Sequence, residues 1–280
     1  MSSSSDSKVV IITGGSAGIG RETALLLARN NFKTYASMRD LQKSSEIKSI
    51  AEKEKLDMHF VQLDVTDDYS IKNAVQNVYD EAGRIDILVN NAGYALSGAF
   101  EDLTIDEIKE QYETNVYGLI ITTQAVLPIM RRQRSGVVVN ISSGVGRFGY
   151  PTGSAYVSTK FAVEGLSESM SYELEQFGIR TVIIEPGVID TDFHHASKIA
   201  KKSQDPNSPY APLMKAMESN VKKMIANGST PQYVAEVILE AITSPDHKLR
   251  YVAGKDVEQW MEAKRKMSDD EFISMMKQFF

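Results

Sequence analysis

A doubly wound α/β fold, a parallel sheet covered by helices on both faces, is predicted by three observations. Short β-branched runs alternate with longer amphipathic stretches, the runs are apolar at successive positions, and a glycine-rich turn joins the first run to a helix. The strand candidates are Val9 to Thr13, Thr34 to Met38, His59 to Leu63, Ile85 to Asn90, Val137 to Ser142 and Thr181 to Glu185. Val-Val-Ile-Ile at 9–12 and Val-Val-Val at 137–139 leave no polar face, as strands buried on both sides require. Between them, Ala24, Leu25, Leu27 and Ala28 give one segment an apolar side. Ile71, Ala74, Val75 and Val78 repeat the i, i+3, i+4, i+7 helical pattern in another.

No linker, repeat or low-complexity segment interrupts the chain from residue 8 to 185. From Val188 to Thr230 the pattern changes. His194-His195, Lys201-Lys202, Asp205 to Pro209 and Pro212 break up helical fragments carrying Met214, Met217 and Met224, which predicts an irregular helical lid over a substrate. A helix at Gln232 to Thr243 and a short strand at Leu249 to Ala253 would close the sheet. The expected organisation is a disordered tail at 1–7, one Rossmann-type domain at 8–255 with its lid at about 188–230, and a helical extension at 256–280 opened by a Ser268/Glu271 capping box.

Composition removes several function classes. The 280 residues are 42% hydrophobic, enough for a sizeable core, and the net charge of -6 gives no general attraction for nucleic acid. No cysteine is present, so disulfides, thiolate nucleophiles and Cys-ligated metals drop out, and four histidines leave little for another metal site. The serine-rich N-terminus has no basic-then-apolar signal pattern. Tyr117 to Met130 is short for a membrane span and is broken by threonines, Gln124 and Pro128. A soluble cytoplasmic protein is expected.

The first strand ends in Thr13-Gly14-Gly15-Ser16-Ala17-Gly18-Ile19-Gly20, opening into a helix. Glycines there permit a tight turn and let the helix-start amides face a pyrophosphate, although the motif alone also suits a packing turn. The second strand ends Met38-Arg39-Asp40, where a dinucleotide fold meets the adenosine ribose. An NAD site places a carboxylate at that point. A guanidinium suits a 2′-phosphate instead, which predicts NADP(H), with a surface Arg39-Asp40 pair as the competing reading.

Tyr156 and Lys160 stand at helical i, i+4 spacing after the small-residue run Thr152 to Ala155. The spacing alone is unspecific, since Tyr251 and Lys255 repeat it, but in a predicted strand whose extended backbone separates the pair. Asn90-Asn91-Ala92-Gly93, Asn115, Asn140-Ile-Ser-Ser143 and Pro186-Gly187 fall at strand ends or in a helix nearby. Together, over roughly residues 8 to 255, these motifs resemble a classical short-chain dehydrogenase/reductase with its TGxxxGxG, NNAG, Asn, Ser, YxxxK and PG signatures. Residues 35–41 further resemble the steroid and retinol dehydrogenase branch.

The resemblance implies that Tyr156 is the general acid/base and that Ser143 holds the carbonyl oxygen. Lys160 would bind the nicotinamide ribose and lower the tyrosine pKa, and Asn115 would hold a relay water. Ser143 rather than Ser142 lies at the family's distance from Tyr156. For the cofactor it implies Gly14, Ser16, Gly18, Ile19 and Gly20 at the phosphates, Asp64 with Val65 at adenine, and Asn91 with Gly93 on the adenosine side. It also implies Pro186 and Gly187, the PG motif, as cofactor-binding residues, with Thr191 at the carboxamide. Asp64 also suits a turn or helix cap.

Other conspicuous residues have ordinary explanations. His194-His195 fits a solvated lid better than a metal site, and Arg131, Arg132 and Arg134 suit a helix C-terminus. Met214, Met217, Trp260, Phe272 and the Phe279-Phe280 end would either line an apolar cleft or pack the core. The expected activity is NADP(H)-dependent interconversion of a carbonyl and a secondary alcohol on an apolar small molecule. An NAD-dependent epimerase/dehydratase and a cofactor-binding regulator without turnover are the rivals. A homodimer or homotetramer is implied by resemblance, with Gly118, Ile121, Ala125, Phe161 and Leu166 facing either a partner or the sheet.

Overall fold

In the computed structural model the first strand, β1 (Val9–Ile12), sets the layers: Val9 and Ile11 enter one core cluster and Val10 and Ile12 the other, all four buried. The structure describes residues 7–191, 193 and 197–278. After β1 come α1 (Gly18–Arg29), β2 (Lys33–Met38), α2 (Ser45–Glu54), β3 (Met58–Gln62), α3 (Asp68–Ala82), β4 (Ile87–Asn90) and β5 (Leu96–Ser97). Next are α4 (Ile105–Tyr112), α5 (Gly118–Gln133), β6 (Gly136–Ile141), α6 (Ser154–Leu174), β7 (Ile179–Pro186) and β8 (Lys198–Ile199). The chain continues through α7 (Ala211–Ala226), α8 (Pro231–Thr243), β9 (Arg250–Ala253), α9 (Lys255–Lys266) and α10 (Asp269–Met276).

Seven parallel strands run in the order β3-β2-β1-β4-β6-β7-β9. The strand order reverses between β1 and β4, and open α/β sheets bind ligands at such a switch point. One face packs α1 and α8 through Leu25, Leu27, Ile238 and Ala241. The other packs α3 and α5 through Ile71, Val75, Val126 and Met130. A buried amide chain ties α6 to the sheet centre: Asn90 donates to Asn140 at 2.9 Å, and Asn140 donates to the Ser167 hydroxyl at 2.8 Å.

Departures from the sequence expectation have physical causes. Strand β7 starts two residues early because Gly178, at φ 70, turns the chain out of the preceding helix. The segment after 188 is more regular than expected: α7 runs 16 residues, and Pro212 lies in its first turn, where no backbone N–H is required. The capping box at Ser268 and Glu271 is present. His194 and His195, tail residues 1–6 and Phe279-Phe280 lie outside the described residues. Gly118 packs on the Val65 backbone, and Ile121 and Ala125 join the core, whereas Phe161 and Leu166 are exposed.

Candidate active site

At the switch point, β1 and β4 are locked together by the two motifs that end them. The Thr13 hydroxyl accepts from the Asn91 and Ala92 amides, both at 3.0 Å, and Asn91 Nδ2 donates to the Thr13 and Gly14 carbonyls at 2.9 and 3.2 Å. A Cβ on Gly20 would fall 2.3 Å from the Gly14 carbonyl oxygen, so the turn admits only glycine there. Gly14 and Gly18 take φ of 67 and 54, conformations that L side chains rarely adopt. Ala17 caps α1 without a side-chain hydrogen bond, and Ser16 to Ile19 line the cleft, so the helix-start amides are available to an anion. Those donors and the glycine cradle fit a dinucleotide pyrophosphate.

The cleft has a volume of about 2320 Å³, well above the roughly 300–1,000 Å³ of a drug-sized site and consistent with a dinucleotide plus a second molecule. Met38, Arg39, Asp40 and Lys43 line the cleft at the end of β2. Asp40 accepts from the Gln42 amide at 2.9 Å, and no ion pair joins it to Arg39 among the described residues. Asp64 folds a local turn by accepting from the Thr66 amide and hydroxyl at 2.9 and 2.8 Å, while still lining the cleft beside Val65. Gly93, Pro186, Gly187 and Thr191 also line it, whereas Gly20 lies beneath the turn.

Ser143, Tyr156 and Lys160 converge on the cleft from the end of β6 and the first two turns of α6. The Ser143 hydroxyl donates to the Pro186 carbonyl at 3.3 Å. Burial pushes the Tyr156 phenol above its usual value of 10.0. The Tyr150 phenol reinforces this and the Ser143 hydroxyl opposes it. The direction is opposite to the lowering the resemblance implies, because desolvation dominates. Lys160 is buried; its Nζ donates to the Ile141 carbonyl at 2.8 Å and lies 5.6 Å from the Tyr156 ring centroid. Burial pushes the ammonium down to about 8, against the field of Glu164.

Asn115 occupies a π-helical turn, Glu113–Tyr117, between α4 and α5. Such bulges gather at functional sites. Its amide donates to the Tyr94 carbonyl at 2.9 Å and to the Thr159 hydroxyl at 3.2 Å, and its Oδ1 accepts from the Tyr94 amide at 3.1 Å. It therefore sits behind the cleft wall, tying the segment after β4 to α6. Ser142 is buried beside Gly146, although it also borders the cleft next to Ser143. Tyr251 of the second Tyr/Lys pair donates to the Asp246 carbonyl at 3.0 Å and packs in the core.

Several residues of the cleft and of its supports were not foreseen. Tyr150 lies over Gly153, where a Cβ would meet its ring at 2.3 Å, and Phe193 sits 6.1 Å from Tyr156, centroid to centroid. Asp256, at the start of α9, accepts from the Val188 amide at 2.8 Å, and Val257 presses on Gly144, where a Cβ would lie 2.2 Å from its methyl. Trp260, expected either in an apolar cleft or in the core, packs edge-on against Phe148 at 5.6 Å and lines the cleft. The expected methionines are there too: Met214, Met217 and Met224 of α7. Only Trp260 carried a sequence signal, as the chain's one tryptophan.

The fold and this constellation define a nicotinamide-dependent oxidoreductase of the α/β type. A sequence model of the family described as short chain dehydrogenase matches residues 8–202, and the chain belongs to that family. It is 39% identical over 254 residues to the uncharacterized oxidoreductase YusZ of Bacillus subtilis, covering 89% of this chain and 90% of that protein. It is 34% identical to retinol dehydrogenase 8 of Bos taurus, covering 87% of this chain and 80% of that protein. Among solved structures, a short-chain dehydrogenase from Streptomyces avermitilis superposes with a TM-score of 0.84 at 30% identity, covering 98% of this chain and 96% of that one. Among the described residues no helix is long and apolar enough to cross a membrane.

Proposed function

We propose that the protein is an NADP(H)-dependent oxidoreductase that interconverts a carbonyl and a secondary alcohol on a largely apolar small molecule. The observation that carries this reading is the meeting of Ser143, Tyr156 and Lys160 on one cleft that also contains the glycine turn. Arg39 and Lys43 support NADP(H), since two cations at the β2 end of the cleft suit a 2′-phosphate, while the Asp40 carboxylate between them accepts from the Gln42 amide. Phe148, Phe193, Met214, Met217, Met224 and Trp260 support an apolar substrate, and the likeness to a retinol dehydrogenase points the same way.

When bound, the nicotinamide supplies or takes up a hydride at the carbonyl carbon. The chain's own residues do the rest. The Ser143 and Tyr156 hydroxyls hold the carbonyl oxygen, and Tyr156 gives its proton to that oxygen as negative charge develops. The high phenol pKa keeps the proton in place for reduction, and alcohol oxidation requires it to leave. Lys160 holds the nicotinamide ribose and places a positive charge near the phenol, favouring phenolate in oxidation. Asn115 holds the backbone at Tyr94 and, through Thr159, steadies the turn of α6 that carries Tyr156. Exposed Phe161, Leu166 and Tyr172 on α6 support assembly as a homo-oligomer.

The test is NADPH oxidation by the purified protein against carbonyls from short ketones to 3-oxoacyl thioesters, retinal and ketosteroids. Tyr156→Phe is expected to cut turnover by about 10²–10⁴-fold while NADPH still binds. Undiminished turnover in the variant would remove Tyr156 as the acid.

A further inference from the structure

Apart from the two sheet-face cores, an apolar cluster gathers where the helices after β9 meet the loop after β6. Phe148, Phe272 and Met276 are buried in it, and Val145, Trp260 and Met261 pack against them. Phe148 takes two aromatic partners edge-on at 5.6 Å, Trp260 from α9 and Phe272 from α10. Val145 and Phe148 follow Ser143 by two and five residues and line the cleft, as Trp260 does. An apolar wall therefore runs from the Ser143 loop to the Trp260 ring. Anchoring of α9 and α10 does not require that ring to reach the cleft, because Val257 and Phe272 are already buried against the same loop and Asp256 holds the Val188 amide. Trp260 nevertheless stays half-buried, with part of its surface in the cleft.

Helix α7 adds a second apolar surface. Met214, Met217, Val221 and Met224 fall on one side of it and all line the cleft. Among the described residues, none of the four joins either sheet-face core. The stripe is about 15 Å long at a rise of about 1.5 Å per residue, and unbranched methionines repack around ligands of varied shape. Beside it Lys215 is exposed and Glu218 pairs with Lys222 at 2.6 Å, so no charge is buried with the stripe. We propose that these two surfaces form a subsite for an extended hydrocarbon chain, and that Trp260 is its specificity-determining residue, setting the longest chain accepted. This rests on the reading of Ser143 and Tyr156 as the groups that hold the carbonyl oxygen. A compact substrate would leave most of so long a stripe in water, whereas a chain laid along it buries apolar surface at every carbon. The Trp260 ring rests on Phe148, itself backed by Phe272, which keeps it from yielding to a longer chain.

The experiment measures, by calorimetry, the binding of straight-chain methyl ketones in the presence of NADP+, which has no hydride to deliver. Over a series of about six to fourteen carbons, affinity for the unaltered protein should rise about fourfold per methylene and then level off at the length that meets Trp260. Trp260→Ala should move that plateau about three methylenes longer, and Trp260→Phe about one. An identical plateau in the alanine variant, or an affinity that ignores chain length, would overturn the proposal. If the alanine variant does not fold, Trp260→Leu takes its place. A second reading needs no variant: Trp260 is the chain's one tryptophan, so its emission should change as the longest accepted ketone saturates the site. Unchanged emission would put the chain elsewhere and overturn the assignment. Reduction of the same ketones by NADPH separates the two readings. A plateau set by Trp260 without any reduction would remove the chemistry assigned to Ser143 and Tyr156 and leave the subsite. Reduction with one length profile in both proteins would remove the role of Trp260 alone.

Discussion

Lys160 is kept where burial opposes its charge, and that tension is measurable. Its folded pKa of about 8 lies below the ordinary 10.5, so the folded state binds fewer protons than the unfolded state between those values. Stability linked to this group is therefore fully present above about 10.5 and is lost as pH falls through about 8. Lys160→Met should raise stability at pH 7 by about 1–3 kcal/mol, a gain that shrinks towards pH 10, while abolishing turnover. Urea midpoints at the two pH values check this, and equal gains at both would contradict it. Arg39 makes a different kind of prediction, because it lines the cleft rather than packing in the core. Arg39→Glu should reverse the preference for NADPH over NADH, read as the ratio of kcat/KM values; an unchanged ratio would mean that Arg39 does not meet the 2′-phosphate.

Helix α9 acts at the scale of an element. Its first turn supplies Asp256 to the Val188 amide and Val257 to the hollow at Gly144, so one short helix braces the loops after both β6 and β7. Asp256→Ala should cost about 1–2 kcal/mol of stability through the unpaired amide and raise KM for cofactor, measured by thermal melts and NADPH titration. Little of this was legible in the sequence. The glycine turn, Asn91, Tyr156 and Lys160 could be read because each motif is local: a strand end or a helical spacing is complete within a few residues. Asp256 to Val188 and Arg250 to Glu164 span 68 and 86 residues, and no pattern within either segment announces its partner. Helix α7 was misread for another reason. Its apolar stripe of Met214, Met217, Val221 and Met224 lines a cleft beside prolines and lysines, so it lacked the profile of a helix buried against a core. The π turn that carries Asn115 was likewise illegible, since it leaves no signature in spacing.

For the whole molecule, ligand and fold are linked through the switch point, where the glycine turn, the β4 end and the loop after β7 meet one cleft. A dinucleotide spanning them stabilises the folded chain by mass action, about 2.7 kcal/mol at a hundred times Kd. For a chain of this size NADPH should raise Tm by roughly 5–10 °C, and NADH at equal concentration by clearly less. Equal shifts would contradict the cofactor preference. The position of α9 and α10 after the last strand has a consequence for biosynthesis. A nascent chain released through β7 holds six of the seven strands of the main sheet, yet Gly144 still lacks the helix that steadies it. Bracing of the Ser143 loop therefore waits for residues beyond β9, and a chain cut short after Pro186 carries the glycine turn but an unbraced Ser143.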